Sequence, residues 1–337
     1  METEAELSES IQIRRRSASF SDDYSVQRTN DDASQSKLAA VQLNYYKDDF
    51  LRKFVSGSLE EGHVLHRDPE ISIGYWARVS LIRKFVEDFL AHAGNEAQVI
   101  SLGAGFDTLY WRLKAAGAKF ARYVEVDFST VTAKKIRLIR KPGSAELVQA
   151  FSQAVTESQH ADLHAGDYHL VGADLRQWEE LRGKLRAAGV DFEAPTLILA
   201  ECVIVYMSVG KSEELLANLA STFDTVALLS YEQVNTTDEF SAVMIANLEK
   251  RGLMLPGLAA GESIQMQRDR LTKSGFTHGI VTDMHSAYGT LLPEAERRRV
   301  EAIEMLDEKE LLKQLNEHYS ISYVSKGAPD GWGQPAL

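Results

Sequence analysis

Gln98-Val99-Ile100-Ser101-Leu102-Gly103-Ala104-Gly105 is the stretch that decides the fold, because an apolar strand runs directly into a glycine-rich turn. A second apolar segment ends in Glu125-Val126-Asp127. Glycines at a strand-to-helix turn let the backbone approach a ligand closely, and an acidic residue at the tip of the next parallel strand can accept hydrogen bonds from ribose hydroxyls. The two stretches together predict a site for a nucleotide-containing cofactor.

Short apolar segments alternate with helical patterns on both sides of this stretch. The segments that predict strands are residues 98–102, 122–126, 169–173, 196–200 and 225–229, followed by 277–282 and 319–324. Continuous apolar strands separated by helices indicate a parallel sheet that is buried on both faces. The fold class predicted is therefore α/β, a seven-stranded, mostly parallel sheet with an antiparallel end. Later helical patterns cover residues 239–251, 263–274 and 294–316.

The chain divides into three parts by composition. Residues 1–35 are rich in Ser, Asp, Glu and Arg, with few large apolar residues, which predicts a disordered tail. Residues 36–95 show apolar positions at helical spacing and predict a helical preface. Residues 96–330 carry the strands and form the predicted Rossmann-like domain.

Composition narrows the class of partner and the compartment. The 37 Lys and Arg against 49 Asp and Glu give a net charge of −12, which disfavours nucleic acid as a ligand. The single cysteine, Cys202, fits a reducing compartment, and the sequence shows neither a leader nor a membrane-spanning apolar run. We expect a cytoplasmic protein with no membrane association, and a monomer because no long apolar stripe is left exposed.

Four predicted strand ends carry residues suited to a cofactor. They are Gly103 to Asp107, Asp127, Asp174-Leu175 and Glu201. A nicotinamide enzyme usually has a third glycine in the turn, and here Asp107 would stand against the diphosphate. A carboxylate repels a diphosphate but attracts the ammonium and sulfonium of S-adenosyl-L-methionine. The acidic lining therefore favours that cofactor and makes an oxidoreductase the weaker alternative.

Several motifs in one order resemble the leucine carboxyl methyltransferase family over roughly residues 37–327. They are Leu102-Gly103-Ala104-Gly105-Phe106-Asp107-Thr108, Trp111-Arg112-Leu113, Glu125-Val126-Asp127-Phe128, Gly172-Ala173-Asp174-Leu175-Arg176, Ala200-Glu201-Cys202-Val203 and Tyr231-Glu232-Gln233-Val234-Asn235. The resemblance implies a class I S-adenosylmethionine-dependent methyltransferase fold with a helical N-terminal lid. It also implies methylation of the C-terminal leucine carboxylate of the protein phosphatase 2A catalytic subunit. The cofactor contacts that it implies, together with Gly105 and Asp107 from the loop itself, are Lys37, Gly103, Asp127, Asp174, Leu175 and Glu201.

One position departs from the family pattern. The family reads Asn-Arg-Gly-Tyr where this chain has Ser72-Ile73-Gly74-Tyr75, so Ile73 replaces an arginine that contacts the cofactor or the substrate carboxylate. Arg78 matches a second arginine of the family and is expected to share the task. The departure keeps open an alternative of another class, a catalytically weakened cofactor-binding protein that acts as a phosphatase-interaction module.

Methyl transfer to a carboxylate needs no general base, because a terminal carboxylate with a pKa of roughly 3.5 is already ionised at neutral pH. The site has to position and desolvate it. The candidates for this work are Lys37, Arg78 and Tyr206, with Arg112 as a weaker one. Each of the first three also has a purely structural interpretation. Lys37 could cap a helix, Arg78 could form a surface ion pair, and Tyr206 could be a ring at the edge of the core.

Two further readings remain as alternatives. The carboxyl methyltransferase that acts on wybutosine-modified transfer RNA belongs to the same superfamily, but it carries a long repeat domain, and the acidic charge of this chain disfavours RNA. His160 and His164 stand four residues apart, as zinc ligands do on a helix, but the Gly166-Asp167 turn argues against a rigid helix there. We expect no metal site.

Overall fold

The computed structural model describes residues 4–55 and 65–328, with side chains described from residue 23 onward. These residues form one nine-stranded sheet with helices on both faces. The strands are β1 (Gln98–Leu102), β2 (Arg122–Asp127), β3 (Thr156–Ser158), β4 (Asp162–Ala165), β5 (Tyr168–Gly172), β6 (Thr196–Glu201), β7 (Val226–Gln233), β8 (His278–Asp283) and β9 (Tyr319–Lys326). The helices are α1 (Glu4–Gln42), α2 (Pro69–Ala93), α3 (Leu109–Ala115), α4 (Ser129–Ile139), α5 (Ala145–Gln149), α6 (Trp178–Ala187), α7 (Val209–Thr222), α8 (Glu239–Lys250), α9 (Ile264–Lys273), α10 (Met284–Leu291), α11 (Glu294–Glu301) and α12 (Lys309–Glu317).

The sheet order is β3-β4-β5-β2-β1-β6-β7-β9-β8. The five central strands, β5, β2, β1, β6 and β7, run parallel, and the pairs at both ends are antiparallel. Leu102, the last residue of β1, pairs with Val126 on one side and with Ala200 on the other. This register brings the carboxyl ends of the central strands to one edge of the sheet, where open α/β folds bind their ligands.

Two apolar layers bury the sheet, one on each face. Side chains alternate along β1, so that Val99 packs with one layer and Ile100 with the other. Helix α2 supplies much of the first layer, where Phe85 stacks on Tyr323 of β9 with ring centroids 5.1 Å apart. Each fully buried side chain of this kind contributes about 1.5–3 kcal/mol relative to an exposed one. The strand ends are therefore held on a rigid platform.

The predicted α/β class, a mostly parallel sheet with an antiparallel end, is confirmed, but the predicted number of seven strands is wrong. The two additional strands, β3 and β4, form an antiparallel hairpin at one edge. They contain three and four residues, and β3 is exposed along its whole length, so they lack an apolar alternation that could reveal them. The helical pattern predicted over 294–316 is interrupted between α11 and α12.

The disordered tail predicted over 1–35 differs from the structure, which places residues 4–42 in the single helix α1. Residues 1–3 lie outside the described residues. The side chains described in the second half of this helix contact distant parts of the chain, for example Asp23 with Arg176 and Asn30 with the backbone of Phe106. Composition underestimates the tendency of such a segment to fold, because polar contacts, rather than buried apolar area, hold it in place.

Helix α2 shows ordinary sequence signals at both ends. Pro69 occupies the first helical turn, where a missing N–H costs nothing, and Gly94 ends the helix with a φ of 74°. Within the described ranges, no helix combines the length and the apolar character needed to cross a bilayer. The division into a helical preface over 36–95 and a domain over 96–330 stays a prediction.

Candidate active site

A cavity of about 380 Å³ lies at the carboxyl ends of the central strands. A volume of this size falls within the range of small-molecule sites, which is about 300–1,000 Å³. Every residue predicted for the cofactor and the acceptor, except Arg112, lines it. These residues are Lys37, Arg78, Gly103, Gly105, Asp107, Asp127, Asp174, Leu175, Glu201 and Tyr206. The structure therefore brings the predicted residues into one place.

The glycine-rich turn after β1 approaches its neighbours too closely for side chains. Gly103 and Gly105 have φ angles of 57° and 50°, in the left-handed region that favours glycine. A Cβ atom on Gly103 would lie 2.6 Å from Cγ2 of Val203, and one on Gly105 would lie 2.4 Å from Oδ1 of Asn30. The turn thus exposes bare backbone to the cavity.

Asp127, at the end of β2, holds this turn. Its Oδ2 accepts a hydrogen bond of 2.7 Å from the Gly105 N–H, and its Oδ1 accepts one of the same length from the Phe128 N–H. Burial raises the pKa of this carboxyl group, and the two N–H donors act to lower it. Because each oxygen has a second lone pair, the carboxylate can also accept hydrogen bonds from a ligand in the cavity.

Replacing Gly105 by alanine should weaken cofactor binding by about 10- to 100-fold, because the left-handed backbone of a non-glycine residue costs roughly 1–2 kcal/mol and the new methyl group displaces Asn30. Isothermal titration calorimetry with S-adenosylmethionine measures the change. Gly183→Ala is the matched control, since this glycine lies within α6 and a Cβ there meets no atom within 4 Å. Equal affinities of the Gly105 variant and wild type would contradict the assignment of the turn to the cofactor.

Two carboxylates and two cations alternate at the centre of the cavity. Nζ of Lys37 lies 3.0 Å from Oε1 of Glu201 and 3.5 Å from Oδ1 of Asp107. The same Oε1 accepts a hydrogen bond of 2.5 Å from Nε of Arg78. All four side chains are only 11–14% exposed. Pairing compensates the cost of burying these charges.

The pKa shifts in this group follow from burial and pairing. Burial acts to raise the pKa of Asp107, but the positive charges of Lys37 and Arg112 outweigh it and hold the pKa at about 2. Burial likewise opposes ionisation of Glu201, while Arg78 and Lys37 bring its pKa below the usual range. Both carboxyl groups are therefore ionised at neutral pH.

Arg78 is positioned by two aromatic rings as well as by Glu201. Its guanidinium carbon lies 4.5 Å from the centroid of the Tyr231 ring and 5.5 Å from that of Tyr75. Nε is engaged by Glu201, and the described residues provide no partner for the two terminal nitrogens. Arg78 can therefore offer a pair of parallel N–H donors to an anion in the cavity.

Tyr206 lies on the turn that follows β6 and also lines the cavity. Burial raises the pKa of its hydroxyl group, which keeps the group protonated at neutral pH and able to donate a hydrogen bond. Asp174 and Leu175 follow β5 at another part of the wall, and both Asp174 oxygens accept hydrogen bonds from Arg176.

One face of α1 forms a wall of the cavity that the sequence prediction missed. Its residues on the lining are Asp23, Val26, Gln27, Thr29, Asn30, Asp32, Ala33, Ser34 and Lys37. Asp23 forms a two-bond ion pair with Arg176, and Asn30 accepts a hydrogen bond of 2.7 Å from the Phe106 N–H. Apart from Lys37, which the sequence analysis identified, this face has no apolar periodicity that could have revealed it.

Some singled-out residues lie outside the cavity lining. Nε of Arg112 stands 3.5 Å from a carboxylate oxygen of Asp48, so this arginine is engaged elsewhere. Ile73 is 1% exposed and packs in the core. His164 lies on β4 with its ring against His169, and the described residues contain no cluster of three or more His, Cys, Asp or Glu side chains arranged for a metal ion.

Comparisons with known proteins point to one family. The family model described as leucine carboxyl methyltransferase matches residues 18–220. The chain is 50% identical over 323 residues to a probable leucine carboxyl methyltransferase 1 of Caenorhabditis briggsae, covering 96% of this chain and 97% of that protein. It is 37% identical over 311 residues to leucine carboxyl methyltransferase 1 of Bos taurus, covering 92% of each.

A solved structure gives an independent comparison of the fold. A putative methyltransferase from Thermobifida fusca superimposes with a TM-score of 0.51 at 15% sequence identity, covering 87% of this chain and 94% of that one. Similarity at this level of identity concerns the fold alone. It agrees with the α/β fold described above.

Proposed function

This chain belongs to the leucine carboxyl methyltransferase family, and we propose that it transfers a methyl group to the α-carboxylate of the C-terminal leucine of the protein phosphatase 2A catalytic subunit. Family membership makes it an S-adenosylmethionine-dependent enzyme that methylates carboxyl groups. The observation that carries the proposal for the acceptor is Arg78, which lines the cavity and whose terminal nitrogens have no partner among the described residues.

The cavity fits S-adenosylmethionine in size and in chemistry. Bare backbone at Gly103 and Gly105 allows close approach, and Asp127 stands where ribose hydroxyls need an acceptor. Asp107 and Glu201 provide negative charge for a cofactor that carries an ammonium and a sulfonium group. When bound, the cofactor supplies an electrophilic methyl group on sulfur.

The residues of this chain would act on the acceptor by positioning and by removal of water. Arg78 holds the acceptor carboxylate through its two terminal nitrogens, and Tyr206 donates a further hydrogen bond. An acceptor held in this way would be oriented for attack on the methyl group, and a buried setting would strip the water that makes a carboxylate a poor nucleophile. No side chain has to accept a proton, because the acceptor is already ionised.

Lys37 and Glu201 tune how tightly Arg78 binds the acceptor. Glu201 occupies Nε of Arg78 and offsets part of its charge, so that the acceptor is oriented without being trapped in a full ion pair. Lys37 links Glu201 to Asp107 and keeps the pair of carboxylates together despite their like charge. Lys37 thereby connects Asp107, which is assigned to the cofactor, with Glu201, which holds the acceptor-binding Arg78.

The alternative of a weakened, purely binding protein rested on Ile73. In the structure the Ile73 side chain packs in the hydrophobic core, while Arg78, on the same helix α2, lines the cavity. We propose that Arg78 supplies the cation which other family members draw from position 73. A cytoplasmic location and a monomeric state stay predictions from the sequence.

The test is transfer of label from S-adenosylmethionine with a radioactive methyl group to the intact phosphatase catalytic subunit. The control acceptor is the same subunit without its terminal leucine. Base-labile label on the intact subunit and none on the shortened one is the expected result, because methyl esters hydrolyse in base. Base-stable label, label on both acceptors, or cofactor binding without any transfer would overturn the proposal.

A further inference from the structure

The turn that carries Tyr206 is held by one buried carboxylate. Glu232, on β7, is 4% exposed, and its Oε1 accepts hydrogen bonds of 3.0 Å from the N–H groups of Val203 and Ile204. Its Oε2 accepts one of 3.2 Å from the N–H of Val205. Three consecutive N–H groups at the start of the turn would otherwise lack acceptors, which costs about 1–3 kcal/mol for each buried group.

The other side of the same turn rests on a glycine. The N–H of Gly257 donates a hydrogen bond of 2.9 Å to the carbonyl oxygen of Val205. A Cβ atom on Gly257 would lie 2.7 Å from the carbonyl oxygen of Met207 and 2.9 Å from that of Val205. The turn is therefore clamped, with Glu232 satisfying its N–H groups and the Gly257 backbone in close contact with its carbonyl groups.

The clamped turn forms part of the cavity wall, since Val203, Tyr206 and Met207 line the cavity. It begins after Cys202, which has a φ of 54° and whose N–H donates a hydrogen bond of 2.7 Å to the carbonyl oxygen of Tyr231. Tyr206 then enters the cavity lining together with Cys202 and Arg78. A change in the turn would move the Tyr206 hydroxyl most, and it would reach the glycine-rich turn of β1 only through the contact between Val203 and Gly103.

We propose that Glu232 is a positioning residue of the acceptor site, which holds the 203–207 turn so that Tyr206 can donate its hydrogen bond to the acceptor carboxylate. The expected effect of Glu232 on methyl transfer rests on the proposed function. Its hold on the 203–207 turn does not depend on the identity of the acceptor. Both carboxylate oxygens are needed, because a glutamine keeps one acceptor and turns an N–H₂ donor toward the N–H group that it should bind.

The first test uses Cys202, the one cysteine of the chain, as a reporter of the turn. Glu232→Gln should increase the rate at which a thiol reagent labels Cys202 by about tenfold or more, since loosening of the turn opens the neighbouring backbone. Ser230→Ala is the matched control, because Ser230 is a buried polar residue on the same face of β7 whose hydroxyl has no hydrogen-bond partner among the described residues. Equal labelling rates for wild type and Glu232→Gln would overturn the proposal, whatever the acceptor.

The second test measures the kinetics of methyl transfer to the phosphatase subunit. Glu232→Gln should lower kcat/KM for the acceptor by about 10- to 100-fold. The Kd for S-adenosylmethionine should change by a smaller factor, because the turn meets the cofactor loop only where Val203 packs against Gly103. In a double-mutant cycle, Tyr206→Phe should add little to Glu232→Gln, because both remove the same hydrogen bond. Additive losses, or a loss of cofactor affinity equal to the loss of kcat/KM, would show that Glu232 does not act through Tyr206.

A second variant separates positioning from a failure to fold. In Gly257→Ala the new methyl group would displace the carbonyl groups of Val205 and Met207 and so shift the turn, while Glu232 is unchanged. This variant should reproduce both the faster Cys202 labelling and the loss of kcat/KM for the acceptor, with a smaller change in cofactor affinity. A wild-type enzyme that fails to methylate the phosphatase refutes the proposed acceptor, whereas unchanged Cys202 labelling in both turn variants refutes the role of Glu232.

Discussion

Replacing Arg78 by methionine should lower kcat/KM for methyl transfer by at least about 100-fold. The substitution removes two charge-assisted hydrogen bonds to the acceptor carboxylate, each of which contributes about 1.5–3 kcal/mol. It also leaves Oε1 of Glu201 with Lys37 as its remaining cation, so that the site becomes more negative just where an anionic acceptor has to bind. Methionine retains much of the volume of the side chain and limits the effect on packing.

Arg83→Met is the matched control for this experiment. Arg83 lies on the same helix, is 45% exposed and pairs with Glu87, outside the cavity lining. Its substitution should leave kcat/KM within about twofold of wild type, because exposed ion pairs contribute little. Arg78→Lys should fall between the two, since a lysine keeps the charge and loses the paired donors. An Arg78→Met enzyme with wild-type activity would exclude Arg78 from the acceptor site.

Replacing Asp127 by asparagine should raise the Kd for S-adenosylmethionine by about 100-fold. The two carboxylate oxygens each accept a backbone N–H, from Gly105 and from Phe128. An asparagine can satisfy one of them and places its own N–H₂ against the other, which costs about 1–3 kcal/mol. It also weakens the acceptor that ribose hydroxyls need at the end of β2.

Calorimetric titration with the cofactor measures this effect directly, without any acceptor protein. Asp191→Asn serves as the control, because Asp191 is an exposed aspartate whose Oδ1 also accepts a backbone N–H, from Glu193, but lies outside the cavity lining. Its substitution should not change the Kd. If the Asp127 variant binds the cofactor as wild type does, the ribose position lies elsewhere in the cavity.

The central sheet and the strand-end residues could be predicted from the sequence for a physical reason. Apolar runs such as 98–102 and 196–200 are continuous because both faces of these strands are buried. Once the strands are parallel and in register, their carboxyl ends must meet at one edge, which places Gly103 beside Asp127 and Glu201. The positions of the strands along the chain therefore suffice to predict that the residues at their ends share one site.

The part of helix α1 before residue 36 could not be predicted from composition, because the contacts of its described side chains are mostly polar and distant in sequence. The pair between Asp23 and Arg176 spans 153 residues, and Asn30 binds the backbone of Phe106. A local pattern with few apolar residues looks the same whether it is solvated or held by such contacts. The wall that α1 forms therefore became visible only in three dimensions.

The remaining differences also have physical causes. The edge hairpin of β3 and β4 is too short for a periodic signal. The break between α11 and α12 is hidden because Ile303 and Leu306 pack against the core from a non-helical segment, so the apolar spacing continues where the helix does not. The clamp formed by Glu232 was also missed, since hydrogen bonds from a strand carboxylate to a neighbouring turn leave no pattern in the sequence.

The most direct test of the whole account is mass spectrometry of the phosphatase catalytic subunit after incubation with this enzyme and S-adenosylmethionine. The account predicts a mass increase of one methylene unit that fragmentation assigns to the carboxyl group of the terminal leucine, and that Arg78→Met largely abolishes. A methyl group on a side chain or at an internal residue, or an unmodified subunit in the presence of enzyme that binds the cofactor, would contradict it.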